Sequence, residues 1–130
     1  MGIQYLMDTN AVIEFLGSTL PLSSCIWLQN IIDKDQHHLS IINQIELLCF
    51  EGSPAEMQIL NDFIEVTNVF PLSDGVVQKT IDLRKNHKIK LPDAIIAATA
   101  LNYNLTLITR NTSDFQKVAN LFCIDPHQIQ

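Results

Sequence analysis

The chain has 130 residues, of which 47% are hydrophobic, and its formal net charge is −6. This length supports one ordinary domain with a single core, so we predict one domain over residues 1–130. No apolar run reaches the ~18 to 20 residues of a membrane span, and the first residues lack the basic leader of a signal peptide, so we predict a cytoplasmic protein.

The chain opens with a predicted strand, IQYLM, over residues 3–7. Three turn and N-cap residues follow it at once: Asp8, Thr9 and Asn10. The next run, residues 11–16, predicts a short helix that ends at Gly17. The pattern is therefore a strand, an acidic tip and then a helix.

A second strand is predicted around residues 39–42, in the segment LSIINQIELL, and it passes into a helix. Glu46 lies in that helix among apolar residues, where a carboxylate needs a partner. Residues 55–66 and 73–87 have the pattern of two further helices, with a short strand, VFPL, between them.

The segment KLPDAIIAATALNYNLTLITRNTSDF, residues 90–115, contains a third acidic position. Pro92 suits the first turn of a helix, so Asp93 should lie at the positive N-terminal end of that helix. The uncharged run after it predicts a helix packed tightly against a sheet. LTLITR then predicts a short buried strand, with Asn111 and Asp114 at or just beyond its carboxyl end.

The acidic positions all fall at strand ends or in first helical turns. Alternating strands and helices, which finish with a strand in LFCID, predict a mainly parallel sheet, and ligand sites gather at the carboxyl ends of such strands. Two carboxylates about 5 Å apart repel by roughly 3 kcal/mol at an effective dielectric of 20. Their convergence would therefore require a cation, and oxygen ligands without His or Cys favour Mg²⁺ or Mn²⁺ over zinc.

Four segments occur in a fixed order along the chain: MDTNAVIEFL, LSIINQIELL, LPDAIIAATAL and LTLITRNTSDF. Together they resemble the PIN-domain nucleases, in particular the VapC-like ribonuclease toxins of toxin–antitoxin pairs. The resemblance implies an α/β fold, a three-layer α/β/α sandwich with a central mainly parallel sheet, and a pocket that holds Mg²⁺ or Mn²⁺. It also implies endonucleolytic cleavage of RNA, a VapB-like antitoxin, a homodimer and a toxin–antitoxin hetero-oligomer.

The resemblance also assigns the catalytic and metal-binding acids, which are Asp8, Glu46 and Asp93. Family members often have a fourth acid directly after the Thr-Arg pair, where this chain has Asn111, and Asp114 follows three residues later. Either Asn111 supplies a neutral oxygen while Asp114 carries the charge, or the site uses three carboxylates. Asn43 is a further departure, since Ser or Thr is commoner in that part of the motif.

The mechanism expected from this assignment is hydrolysis by a metal-activated water that attacks a phosphodiester in line. Several polar residues beside the acids are candidates to orient a carboxylate or the substrate phosphate: Thr9, Asn10, Thr109, Arg110 and Asn111. Arg110 could clamp a phosphate oxygen or be an ordinary surface cation.

The net charge of −6 is unusual for an enzyme that acts on nucleic acid, because most such surfaces are basic. Part of the negative charge belongs to the expected metal site. The cations cluster between Arg84 and Lys90, and this run could guide RNA or be a solvated loop. An acidic body also suits a basic segment of an antitoxin.

The acids also have structural interpretations, since Asp8 could be a helix cap, Asp93 could compensate a helix dipole and Asp114 could cap a turn. A signalling receiver module is one functional alternative, but it would have paired acids after the first strand, where Met7 precedes Asp8. A PIN-like domain that only binds partners is another, because Asn111 stands where an acid is common.

The remaining polar and apolar signals are weaker. Three widely spaced cysteines form no metal or redox pair motif, and we predict buried thiols: Cys25, Cys49 and Cys123. His37 and His38 are predicted to lie in a polar loop without a metal. Exposed apolar residues on the helices around Trp27 and Ile59 are candidates for the homodimer surface.

Overall fold

The computed structural model describes residues 2–129, in which five strands form one sheet with all neighbours parallel. The strands are β1 Tyr5–Met7, β2 His37–Ser40, β3 Asn68–Phe70, β4 Thr106–Ile108 and β5 Cys123–Ile124. Their order across the sheet is β3-β2-β1-β4-β5, so the chain winds outward in both directions from β1. Such a reversal of strand order is where parallel α/β sheets place their ligand crevice.

Seven α-helices and a short C-terminal 3-10 helix are present in the described residues. The α-helices are α1 Thr9–Leu16, α2 Leu22–Asp33, α3 Ile41–Leu48, α4 Pro54–Glu65, α5 Asp74–Asn86, α6 Leu91–Tyr103 and α7 Thr112–Phe115, and the 3-10 helix is Pro126–Gln128. No helix within residues 2–129 is long and apolar enough to span a membrane.

Two hydrophobic cores lie on opposite faces of the sheet because successive strand residues point to opposite sides. Leu6 and Leu107 belong to one core, in which they pack with the buried residues 94–98 of α6. Met7 and Ile108 belong to the other core, which α1 to α4 complete. The helices therefore form a layer on each face, and the predicted three-layer α/β/α sandwich is confirmed.

Two predicted boundaries near the acidic positions are wrong, and in both cases a cap residue explains the difference. The first helix begins at Thr9 rather than residue 11, because the Asp8 side chain caps it by accepting from the Thr9 amide at 2.8 Å. The second strand ends at Ser40 rather than residue 42, because Ser40 and Asn43 form a capping box. Both helices therefore begin earlier in the chain than the sequence predicts.

The other predicted elements are present, with ends that their cap residues explain. Ser73 caps α5, and α6 has Pro92 and Asp93 in its first turn, as predicted. The strand predicted in VFPL ends at Phe70, just before Pro71, since proline cannot donate to a ladder. The strands predicted in LTLITR and LFCID are present but shorter.

The prediction that His37 and His38 lie in a polar loop is wrong, since both are in β2. His37 is 3% exposed and its Nε2 lies 3.1 Å from Oγ1 of Thr67. Thr67 donates its only hydroxyl hydrogen to the Phe63 carbonyl, so the His37 Nε2–H must be the donor to Thr67. The Nδ1 atom of His37 is buried without a partner, which fits a neutral ring.

Burial lowers the pKa of His37 below its ordinary value of 6.5, so the unfolded chain binds the additional proton. We therefore expect the free energy of unfolding to fall as the pH drops below about 6.5, by at most about 1.4 kcal/mol per pH unit from this residue. Chemical denaturation at several pH values would measure the slope. His37→Gln keeps a donor for Thr67 but does not titrate, so an unchanged slope in this variant would contradict the assignment.

The surface differs in part from the prediction. The prediction of three buried thiols is wrong, since Cys49 is exposed and the other two cysteines are partly buried. Ile59 is 50% exposed, as predicted, whereas Trp27 is partly buried and packs edge-on against Tyr5 at 5.9 Å between ring centroids. Leu22 and Ile26 of the same helix are 76% and 63% exposed, so exposed apolar residues are present around Trp27 as predicted.

Candidate active site

The candidate site lies at the carboxyl edge of the sheet, where β1 and β4 end side by side. Asp8 follows β1, and its amide donates to the Ile108 carbonyl of β4 at 2.9 Å. The Asp8 carboxylate accepts from the Thr9 amide and from the Thr109 hydroxyl, each at 2.8 Å. Thr109 is buried, so this residue after β4 fixes the orientation of the acid after β1.

Glu46 reaches the same edge from α3. The Thr9 hydroxyl donates to Oε1 of Glu46 at 2.6 Å, so this exposed carboxylate has a hydrogen-bond partner. Nδ2 of Asn43 donates to the same hydroxyl oxygen at 3.2 Å, and Oδ1 of Asn43 accepts from the Ser40 amide at 2.8 Å. Since Asn43 already occupies the acceptor side of Thr9, the hydroxyl hydrogen points to Glu46.

Asp93 joins these acids from the first turn of α6. Burial, followed by the charges of Asp8, Asp114 and Glu46, raises the pKa of Asp93, and only Lys90 opposes this shift. Burial is also the largest cause that raises the pKa of Asp8, with Glu46 contributing and the two hydrogen bonds opposing. The charges of Asp8, Asp114 and Glu46 thus all reach Asp93, and the charge of Glu46 also reaches Asp8.

The residues after β4 differ in their contacts. Asn111 donates through Nδ2 to Oδ2 of Asp114 at 2.8 Å, and its amide donates to the Thr109 hydroxyl at 3.1 Å. Asn111 therefore orients Asp114, and Asp114 is the residue whose charge reaches Asp93. Arg110 is exposed, and none of the side-chain hydrogen bonds or ion pairs within residues 2–129 involves it.

Asn10 is exposed in the first turn of α1, and its side chain makes none of the hydrogen bonds described for Asp8, Thr9, Asn43 and Glu46. The sequence did not predict that Asn43 bonds to both Thr9 and Ser40, because Asn43 is recognisable there only as a departure from the Ser or Thr that is commoner in the motif. Its position three residues after Ser40 is the third residue of a capping box, and that signal could have indicated an inward orientation.

The donor set suits a hard divalent cation, although it is not a complete protein cage. Within residues 2–129, no three His, Cys, Asp or Glu side chains form a group that could hold a metal by themselves. Mg²⁺ usually takes one or two protein carboxylates and completes its shell with waters and substrate phosphates. Asp8 and Asp93 are two such carboxylates, and burial, with neighbouring acids contributing, raises the pKa of each.

Thr9→Val removes the hydroxyl that orients Glu46 and nearly preserves the side-chain volume. Glu46 is exposed, so it should become mobile, and we expect hydrolysis of the substrate to fall roughly tenfold to 100-fold. Thr9→Ser keeps the hydroxyl and should retain most activity. Single-turnover cleavage rates of both variants measure the effect, and equal rates for Thr9→Val and wild type would exclude a role for this contact.

The model of the PIN domain family matches residues 5–121. The chain belongs to the PIN domain family. As a PIN domain it is not a receiver module, so that alternative is wrong. No curated protein matches this PIN domain significantly in sequence.

Several solved structures are similar to this PIN domain over nearly its whole length. A chain of a toxin–antitoxin complex from Klebsiella pneumoniae is 28% identical, with a TM-score of 0.75, and covers 95% of this chain and 98% of its own. A chain of VapBC2 from Rickettsia felis, in a complex bound to a promoter DNA fragment, is 21% identical, with a TM-score of 0.77. The match covers 94% of this chain and 98% of that chain. A chain of FitAcB from Neisseria gonorrhoeae is 24% identical, with a TM-score of 0.72, and the match covers 96% of this chain and 99% of that chain.

Proposed function

We propose that this PIN domain is a Mg²⁺- or Mn²⁺-dependent endoribonuclease and the toxin of a toxin–antitoxin pair. The observation that supports catalysis most strongly is the convergence of Asp8 and Asp93 at the sheet edge, where each has a raised pKa. A fold gains nothing from placing uncompensated carboxylates together, whereas a metal-dependent nuclease requires them. Residues 1–130 form one nuclease domain in this proposal.

The metal would be held by Asp8 and Asp93, with Glu46 and Asp114 as further carboxylates. When bound, the metal would lower the pKa of the water that acts as nucleophile and would neutralise charge on the phosphodiester. Asn111 is a positioning residue for Asp114 rather than a replacement for it.

The chain's own residues have distinct roles in hydrolysis. Thr109 and the Thr9 amide hold the Asp8 carboxylate in one orientation. Glu46, oriented by Thr9, accepts the proton of the attacking water because its second oxygen has no such fixed donor. The exposed Arg110 and Asn10 lie at the same edge, where they can donate to non-bridging phosphate oxygens.

The toxin role is proposed from the similar structures, which include a toxin–antitoxin complex and a VapBC complex. We propose a VapB-like antitoxin as partner, together with a homodimer and a toxin–antitoxin hetero-oligomer. A basic antitoxin segment would suit a chain with a net charge of −6.

One observation favours a second candidate, a PIN domain that binds partners without catalysis. Asn111 follows the Thr-Arg pair, where the family often has an acid, so the site has lost one carboxylate at that position. Asp114 compensates for the missing carboxylate at position 111 only if it binds the same metal.

Cleavage of labelled total RNA by the purified protein tests the proposal. We expect cutting with Mg²⁺ or Mn²⁺ and none with EDTA, since the carboxylates need the ion to act. A contaminating nuclease is excluded by purifying Asp8→Asn in parallel, which should not cut. Equal cutting by both proteins, or a folded metal-bound wild type that cuts no RNA, would favour the binding module.

A further inference from the structure

A groove of about 470 Å³ lies at the junction of α5 and α6. We call it the basic groove, and its lining residues are Arg84, His87, Lys88, Ile89 and Lys90. None of them is acidic, although the chain has 14 Asp and Glu against 8 Lys and Arg. The groove is therefore basic, although the net charge of the protein is negative.

The junction between the two helices is held in a defined shape. Nη1 of Arg84 donates to the Ile89 carbonyl at 2.8 Å, and the Ile89 side chain is buried. Nζ of Lys117 donates to the Lys88 carbonyl at 2.6 Å, which adds another cation beside the groove. Carbonyl groups orient these cations but carry no net charge that could neutralise them.

No carboxylate within residues 2–129 forms an ion pair with the cations of the basic groove, although Asp93 lies within electrostatic range of Lys90. Within residues 2–129, the one ion pair joins His127 and Glu14, at 2.6 Å, and neither residue lines the groove. These cations therefore remain available to an anion from outside the chain.

The basic groove lies next to the candidate active site. Lys90 lines the groove and is the N-cap residue of α6, whose first turn contains Asp93. Lys90 is also close enough to lower the pKa of Asp93, against the effect of the other acids. An anion bound along the groove would therefore end beside Asp93.

We propose that the basic groove binds the phosphodiester backbone of single-stranded RNA beside the position of cleavage. This inference rests on the proposed nuclease function and identifies where its substrate is held. Lysine and arginine bind phosphates by releasing counterions, without reading the bases. Contacts of these cations with phosphates carry no sequence information, so binding in the groove is expected to be independent of sequence.

The test measures binding rather than cleavage. Fluorescence anisotropy of a short unstructured oligoribonucleotide is followed in EDTA, where the proposed nuclease is inactive, at several salt concentrations. Lys88→Gln together with Lys90→Gln should weaken binding roughly tenfold at low salt and reduce the slope of log K against log salt by about 1.4. Thermal unfolding checks that the double variant is folded.

Lys34→Gln together with Lys79→Gln is the matched control for the double variant, since it also removes two lysines, neither of which lines the groove. Its binding should equal that of the wild type. Unchanged affinity and slope in the double variant would overturn the groove assignment, even if Asp8→Asn still abolishes cutting. Competition by polyglutamate as strong as that by RNA would also overturn it and would assign the groove to an acidic protein segment. If the double variant binds RNA more weakly and the wild type cuts no RNA, the groove assignment is supported and the proposed nuclease activity is refuted.

Discussion

Asp93→Asn is expected to reduce Mg²⁺-dependent RNA cleavage roughly 100-fold or more, since it removes a charged oxygen ligand from the proposed metal site. The substitution preserves the shape of the side chain, so the position of α6 should not change. Single-turnover rates on the RNA that the wild type cuts best would measure the loss. Asp33→Asn, which removes an exposed carboxylate at the end of α2, is the matched control and should cut at the wild-type rate.

The same substitution should leave the protein as stable as the wild type, or more stable, in EDTA. The folded state raises the pKa of Asp93, so the charged carboxylate is disfavoured by folding at neutral pH. Removing that charge relieves its repulsion with Asp8 and Glu46. Thermal unfolding in EDTA would measure this, and a large loss of stability together with a loss of cleavage would instead indicate a structural role for Asp93.

Asn43→Ala is expected to lower the free energy of unfolding by about 1–3 kcal/mol, because it leaves the buried Ser40 amide without its acceptor. Cleavage should also fall roughly tenfold, since Thr9 loses the donor that directs its hydroxyl to Glu46. Denaturant unfolding and cleavage rates would measure the two effects.

Gln44→Ala is the control for Asn43→Ala, because it truncates the adjacent and partly exposed side chain of the same helix. Asn43→Asp separates the two contacts, since it keeps an acceptor for the Ser40 amide but has no donor for Thr9. If Asn43→Asp cuts RNA at the wild-type rate, the proposed link from Asn43 to Glu46 is wrong.

The candidate site follows from the sequence where the signals are local. Asp8 and Asp93 are recognisable because each stands at a cap or first helical turn beside an apolar run. The contacts that orient them are not local, because Asp8 and Thr109 are 101 residues apart and Asn43 and Thr9 are 34 apart. Only the packing of β1 against β2 and β4 brings these pairs together.

The errors in the predicted fold also arise from tertiary context. His37 and His38 look like loop residues because they are polar, but pairing of β2 between β1 and β3 places them in the middle of the sheet. The second strand was predicted two residues too far along because Ile41 and Ile42 suit a strand. The capping box of Ser40 and Asn43 overrides that preference.

The most direct test of the account is a calorimetric titration of the wild type and Asp8→Asn with Mn²⁺ in the absence of RNA. We predict that the wild type binds Mn²⁺ and that Asp8→Asn binds it roughly tenfold to 100-fold more weakly. Equal binding by the two proteins, or no binding by a correctly folded wild type, would contradict the claim that these converging carboxylates form a metal site.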